Sequence, residues 1–143
     1  SYLPVAAPGT GYNAKAALLG NVFITPSRDN LLNTLRTQQS NVWYYQFHWA
    51  RPPPPWSDVY GAAHAFDLPF LFGNFGPSVF ANATNSTANR PGRLALSGAM
   101  MASLAAFART GDPNSAALGV TWQPWPKQLR MDATLTQAAI SAP

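Results

Sequence analysis

The sequence lacks two residue types entirely, because its 143 residues include no cysteine and no glutamate. Without cysteine, disulfides and thiolate metal sites are excluded. Two histidines are also few for a zinc site built by the protein alone, and we expect no metal and no cofactor. Every acidic residue is an aspartate, and these are Asp29, Asp58, Asp67, Asp112 and Asp132.

Charge is scarce as well. Charged residues make up 10% of the chain, against about a quarter in an average globular protein. Apolar residues reach 47% and aromatic residues 13%, which argues against disorder and favours a chain covered by its own fold or by a partner. The net charge is +4, but no run of basic residues interleaved with aromatics marks a nucleic-acid face. We expect no nucleic-acid partner.

Long hydrophobic runs are missing too. The longest uncharged apolar stretch, residues 94–108, falls short of the roughly 20 residues that span a bilayer. We expect a buried helix there and no membrane span. The first residues lack the basic start and apolar core of a signal peptide. The compartment stays open, with a secreted or periplasmic location slightly favoured over a cytoplasmic one.

The first half of the chain predicts two helices, a strand and a rigid loop. After an irregular lead over residues 1–12, we expect helices from about residue 13 to 24 and again after Pro26. The aromatic run 41–49 predicts a strand covered on both faces, as in a parallel α/β sheet. The sequence RPPPP at 51–55 predicts an extended loop, with a polyproline ligand as the alternative.

The second half predicts an exposed connection, a long helix and a late strand. Residues 77–92 contain two glycosylation sequons, at Asn82 and Asn85. A helix over 93–110 should end at a left-handed Gly111, followed by an aromatic loop and a short strand in QLRMDATLT. We predict that one face of this helix carries Leu94, Met100 or Met101, Leu104 and Phe107, with the methionine pair as core filler.

The stretch GAAHAFDLPFLFGNF, residues 61–75, places His64 in a loop between the strand and a helix. An α/β-hydrolase carries its catalytic base in such a loop, and a histidine pKa near 6.5 suits proton transfer at neutral pH. A histidine satisfied by backbone partners is the alternative. Asp67 either anchors the loop or a water near the base, or caps the next helix. We interpret His48, between Phe47 and Trp49, as structural.

The other parts of a catalytic triad are not in the sequence. The fold's nucleophile motif G-x-S-x-G is absent, and its nearest counterpart, ALSGA around Ser97, falls inside the predicted long helix. Ser97 is therefore interpreted as a small core residue. There is also no glycine-rich oxyanion loop and no phosphate-binding loop. The chain holds at most one member of a triad.

With these segments the sequence resembles the type B carboxylesterases, the carboxylesterase/cholinesterase family that includes bacterial para-nitrobenzyl esterases. The family's histidine segment G-x-x-H-x-x-E/D-L-P-F/Y-x-F-G is matched by Gly61, His64, Asp67, Leu68, Pro69, Phe72 and Gly73. Further similar segments are VFITPSRDN, VWYYQF, FARTGDPN and WQPWP. The likeness runs in order from about residue 21 to 132.

The resemblance implies an α/β fold, with residues 1–143 as the C-terminal part of one α/β-hydrolase domain. An N-terminal chain or segment would complete that domain and carry the nucleophilic serine and the acid. His64 would be the general base, and Asp67 an acidic residue near it but outside the triad. Tyr60 and Phe66 would line the acyl or alcohol pocket of a small-molecule carboxylic ester.

The resemblance also implies that this chain alone is inactive and forms a tight complex with the N-terminal portion. Two other interpretations stay open at this point. One is a non-catalytic, esterase-like binding or assembly module. The other is an independent small domain whose likeness to the family is due to chance.

Overall fold

The structure is a computed structural model and describes residues 18–143. The chain divides into two compact units between Val42 and Trp43. The predicted irregular lead over residues 1–12 and the start of the first predicted helix, residues 13–17, lie outside the described residues.

In the first unit, the two helices expected on either side of Pro26 are one continuous helical segment. A π-helical turn, Gly20–Ile24, runs directly into α1, Thr25–Gln38. Pro26 lies in the first turn of α1, where the missing N–H of proline costs no helical hydrogen bond. The predicted break is therefore absent, because the proline falls at a position that a helix tolerates.

The second unit is built around a two-stranded parallel sheet. Strand β1, Tyr45–Phe47, pairs with β2, Leu129–Met131. The predicted strand 41–49 is thus shortened to three residues, because its partner is equally short. One backbone hydrogen bond extends the pairing at each end, from Leu129 N–H to Tyr44 and from His48 N–H to Met131. The side chains of β1 are half-buried, so the prediction of a strand covered on both faces is not met within this chain.

The helices of this unit are α2, Trp56–Val59; α3, Leu68–Phe72; α4, Ala81–Thr84; and α5, Arg90–Thr110, followed by a 3-10 turn, Ala116–Leu118. Their apolar core lies against the sheet and consists of Trp49, Phe70, Leu96, Met100, Leu118, Trp122, Leu129, Met131 and Ala133. Gly111 ends α5 in the left-handed conformation with φ 77°. This end of the helix and the late strand are as predicted.

Two loop predictions are wrong in part. Residues 51–55 are not extended throughout, since Trp56 N–H donates to the carbonyl of Pro53 at 2.9 Å and closes a turn. Residues 77–92 are not simply an exposed connection, because they contain α4 and the start of α5. Asn89 is fully buried there. Its side-chain amide donates to the carbonyls of Arg51 and Thr84, both at 2.8 Å. These hydrogen bonds allow this polar side chain to be buried.

The prediction for α5 is met in part: Met100, at 1% exposed, is core filler as predicted, but the rest of the predicted apolar face is not the buried one. Leu94, Met101, Leu104 and Phe107 are 41%, 39%, 40% and 44% exposed. The buried face carries Gly92, Arg93, Leu96, Ser97, Ala99, Met100 and Ser103. The helix is apolar nearly all round, so periodicity could not choose its inner face. Ser97 is a core residue as interpreted, because its hydroxyl donates to the carbonyl of Phe70 at 2.8 Å.

Within residues 18–143, no helix has the length and apolar character needed to cross a membrane.

Candidate active site

His64 lies in a tight turn between the sheet and α3. Phe66 N–H donates to the carbonyl of Ala63 at 3.2 Å, so His64 and Ala65 occupy the two central positions of the turn. Leu68 N–H then donates to the carbonyl of Ala65 at 3.3 Å and leads into α3. Ala65 has φ 66°, which is the left-handed region that residues with a β-carbon rarely adopt.

The side chain of His64 is exposed. Among residues 18–143, no group forms a hydrogen bond or an ion pair with its ring. The alternative of a loop histidine satisfied by backbone partners therefore does not apply to the part of the chain that the structure describes. Both ring nitrogens are available for an outside hydrogen-bond partner.

Asp67 occupies the N-cap position of α3, but its carboxylate forms no capping hydrogen bond. Instead it accepts a hydrogen bond from the hydroxyl of Tyr45 at 2.7 Å. Of the two roles expected from the sequence, the structure favours loop anchoring over helix capping. The bond joins the turn that carries His64 to strand β1, 22 residues earlier in the chain.

Burial raises the pKa of Tyr45 above its usual value, and the hydrogen bond to the Asp67 carboxylate raises it further. The hydroxyl therefore stays protonated, and able to donate, throughout the neutral range.

Phe66 is buried, with 6% of its surface exposed, and lines a cleft of about 60 Å³. Five aromatic rings surround this cleft, those of Trp49, Phe66, Phe70, Phe75 and Phe80. Tyr60 does not line the cleft. It is exposed, stacks on Trp56 with 5.5 Å between ring centroids, and meets the edge of Phe66 at 5.8 Å. The structure thus brings Tyr60 and Phe66 together but places only Phe66 in the cleft.

His48 is half-buried and lies 3.0 Å from the side-chain oxygen of Gln46 through its Nε2. Burial lowers the pKa of His48, the charge of Arg130 lowers it further, and Asp132 opposes the shift. Its backbone N–H donates to Met131. These contacts agree with a structural histidine. In the region that the structure describes, no group of three or more metal-ligating side chains comes together.

Tyr45 is the residue of this site that the sequence did not indicate. Its partner lies in a different segment, and a tyrosine in an aromatic strand is expected to pack rather than to donate a hydrogen bond. A pattern search over a few residues carries no signal for such a pair.

Residues 6–140 match the model of the Carboxylesterase family. The chain belongs to the carboxylesterase family. It is 36% identical over 117 residues to Carboxylesterase 3 of Homo sapiens, covering 76% of this chain and 19% of that protein. It is 32% identical over 90 residues to para-nitrobenzyl esterase of Bacillus subtilis, covering 62% of this chain and 17% of that protein.

Solved esterase structures are similar as well. An esterase from the anaerobe Clostridium hathewayi, which can hydrolyse aliphatic aromatic polyesters, superposes with a TM-score of 0.58 at 21% identity, over 84% of this chain and 22% of that one. A PNB esterase superposes with a TM-score of 0.51 at 26% identity, over 71% of this chain and 19% of that one. The chain thus forms part of an α/β-hydrolase fold and spans about a fifth of the length of the curated relatives it matches.

Proposed function

We propose that this chain supplies the catalytic histidine of a serine carboxylester hydrolase. The observation that carries the proposal is the exposed ring of His64, which is unengaged by residues 18–143 and lies in the turn between β1 and α3. Membership of the carboxylesterase family supports it. Asp67 lies beside this base but follows it in the chain and is bound to Tyr45, so it stands outside the triad.

In the proposed reaction, a serine hydroxyl attacks the carbonyl carbon of a small carboxylic ester while His64 accepts the hydroxyl proton. The tetrahedral intermediate collapses to an acyl-enzyme, and the protonated His64 gives its proton to the departing alcohol. Water then attacks the acyl-enzyme while His64 accepts its proton. The acyl–serine bond breaks, His64 returns the proton to the serine oxygen, and the carboxylic acid is released. The serine, the triad acid and the oxyanion donors belong to the portion of the enzyme outside this chain.

Phe66 and Tyr60 are proposed to contribute to the apolar wall beside the reacting ester. Phe66 lines the aromatic cleft and Tyr60 contacts it. Both lie within four residues of His64 in the sequence, so a group bound against them is close to the base.

The partner of this chain is proposed to be the N-terminal portion of the same α/β-hydrolase domain, to which all of residues 1–143 belong. The exposed apolar side chains of α5 support this, since a soluble protein rarely leaves such a face uncovered. They include Leu94, Met101, Leu104 and Phe107. On this proposal, residues 1–143 have no esterase activity by themselves.

A fluorophosphonate that reacts with activated serines tests the proposal on the native protein. After reaction, the polypeptides are separated under denaturing conditions and the labelled serine is located by mass spectrometry. We expect one labelled serine outside residues 1–143 and no label on heat-denatured protein. A folded protein that includes the N-terminal portion and takes up no label would contradict the proposal and favour the non-catalytic binding module.

A further inference from the structure

The turn that carries His64 contains a residue in a strained backbone conformation. Ala65 follows the histidine directly and has φ 66°, where its β-carbon crowds the backbone. It is the only residue other than glycine with a positive φ within residues 18–143. Such a conformation persists only where the surrounding structure fixes it. The contacts made by the neighbouring residues must therefore keep the turn in place.

One of these contacts is apolar. The ring of Phe66 is buried and packs against Tyr60 and Phe80, each with 5.8 Å between ring centroids. Tyr60 is itself exposed, and Phe80 lies just before α4. Both ring contacts are edge-on, and they bury Phe66 without any hydrogen bond from its side chain.

The second contact is directional. The hydroxyl of Tyr45 donates to Oδ2 of Asp67 at 2.7 Å, a charge-assisted hydrogen bond, which is among the stronger kinds in proteins. Tyr45 is held in turn by its pairing with Leu129 in β2 and by edge contact with the ring of Trp122, at 6.1 Å between centroids. The anchor thus runs from the sheet to the residue that opens α3.

We propose that Tyr45 is a positioning residue, whose hydrogen bond to Asp67 holds the strained turn where the imidazole of His64 reaches the nucleophile. The inference rests on the proposed function, because it assigns to His64 the role of base. A base misplaced by about 1 Å can lose on the order of a hundredfold in rate. Loss of the Tyr45–Asp67 bond leaves the packing of Phe66 and the backbone bonds of the turn in place, so the ring is expected to move by less than that.

The test compares four single variants, and the double variant of Tyr45→Phe with Asp67→Ala, in the complete enzyme, by the hydrolysis of a short-chain para-nitrophenyl ester. Tyr45→Phe removes one oxygen and keeps the ring against Trp122. Asp67→Ala removes the acceptor, whereas Asp67→Asn keeps an oxygen that can accept the tyrosine proton. Tyr44→Phe is the matched control, because it removes a hydroxyl from the neighbouring residue of the same segment.

We expect Tyr45→Phe and Asp67→Ala each to lower kcat about tenfold with KM unchanged within about twofold, since only the placement of the base suffers. Their combination should lower kcat no further than either alone. Asp67→Asn should lower kcat less than Asp67→Ala, because the amide oxygen still accepts the hydrogen bond but without charge assistance. Tyr44→Phe should keep kcat close to the wild-type value. A purely structural role would change the melting temperature and leave kcat per folded molecule intact.

A wild-type kcat in Tyr45→Phe would overturn the inference. So would an equal loss in Asp67→Asn and Asp67→Ala, since the carboxylate charge rather than the hydrogen bond would then matter. His64→Ala, assayed alongside, separates the two proposals. If it is inactive while Tyr45→Phe is unaffected, only the positioning role fails. If it is fully active, the proposed function fails.

Discussion

The two histidines of this chain occupy opposite environments. His48 is half-buried beyond the end of β1, with its backbone bonded to Met131 and its ring beside Gln46. His64 is exposed in a strained turn, and no group within residues 18–143 bonds to its ring. The imidazole of His48 therefore contacts other residues of the chain, whereas that of His64 faces outwards. In His48 one ring nitrogen is engaged by Gln46, whereas both ring nitrogens of His64 are available to a partner from outside residues 18–143.

Relieving the backbone strain at Ala65, next to His64, should give the largest change in the free energy of unfolding. Ala65→Gly should raise the free energy of unfolding by up to about 1 kcal/mol, because glycine adopts a positive φ without a steric cost. Ala63→Gly is the matched control and should lower it by about 0.5 kcal/mol, since Ala63 has an ordinary backbone conformation and glycine only adds entropy to the unfolded chain.

Thermal unfolding of the complete protein measures both variants. If Ala65→Gly lowered the melting temperature as much as Ala63→Gly, the turn would not be strained, and no contact would be needed to hold it in place.

A smaller effect is expected in the pH dependence of stability, through His48. Its pKa is lowered in the folded protein, so below about pH 6.5 the unfolded chain binds the proton more readily than the folded one. Stability from this residue is therefore complete above pH 6.5 and is lost as the pH falls towards the folded pKa. The unfolding midpoint in urea should fall less between pH 7 and pH 5.5 in His48→Gln than in the wild type.

The opposite sign, with His48→Gln more sensitive to acid than the wild type, would show that His48 is stabilised in its charged form. It would then no longer contrast with His64 in the way that the structure indicates.

Local patterns in the sequence were sufficient for the residues near His64. His64, Asp67 and Phe66 lie within one motif, so their proximity follows from the chain itself. The left-handed end of α5 at Gly111 was also predictable, because it depends on one residue and its neighbours.

Features that depend on distant segments were not predictable in this way. Tyr45 and Asp67 are 22 residues apart, and nothing in either segment indicates the other. The inner face of α5 was missed because apolar residues surround the helix. Its buried side is decided by the close approach of Gly92 to Thr134 and by the bond from Ser97 to Phe70.

The most direct test of the account is the turnover of His64→Ala beside that of His48→Gln in the complete enzyme, with a short-chain para-nitrophenyl ester. Loss of a general base should lower kcat about a thousandfold in His64→Ala, with the variant still folded, because the His64 ring has no hydrogen-bond partner within residues 18–143. His48→Gln should keep kcat within about twofold of the wild type, since a structural residue makes no contact with the reacting groups. Near-normal turnover in His64→Ala, or an equal loss in both variants, would contradict the assignment of His64 as the catalytic base.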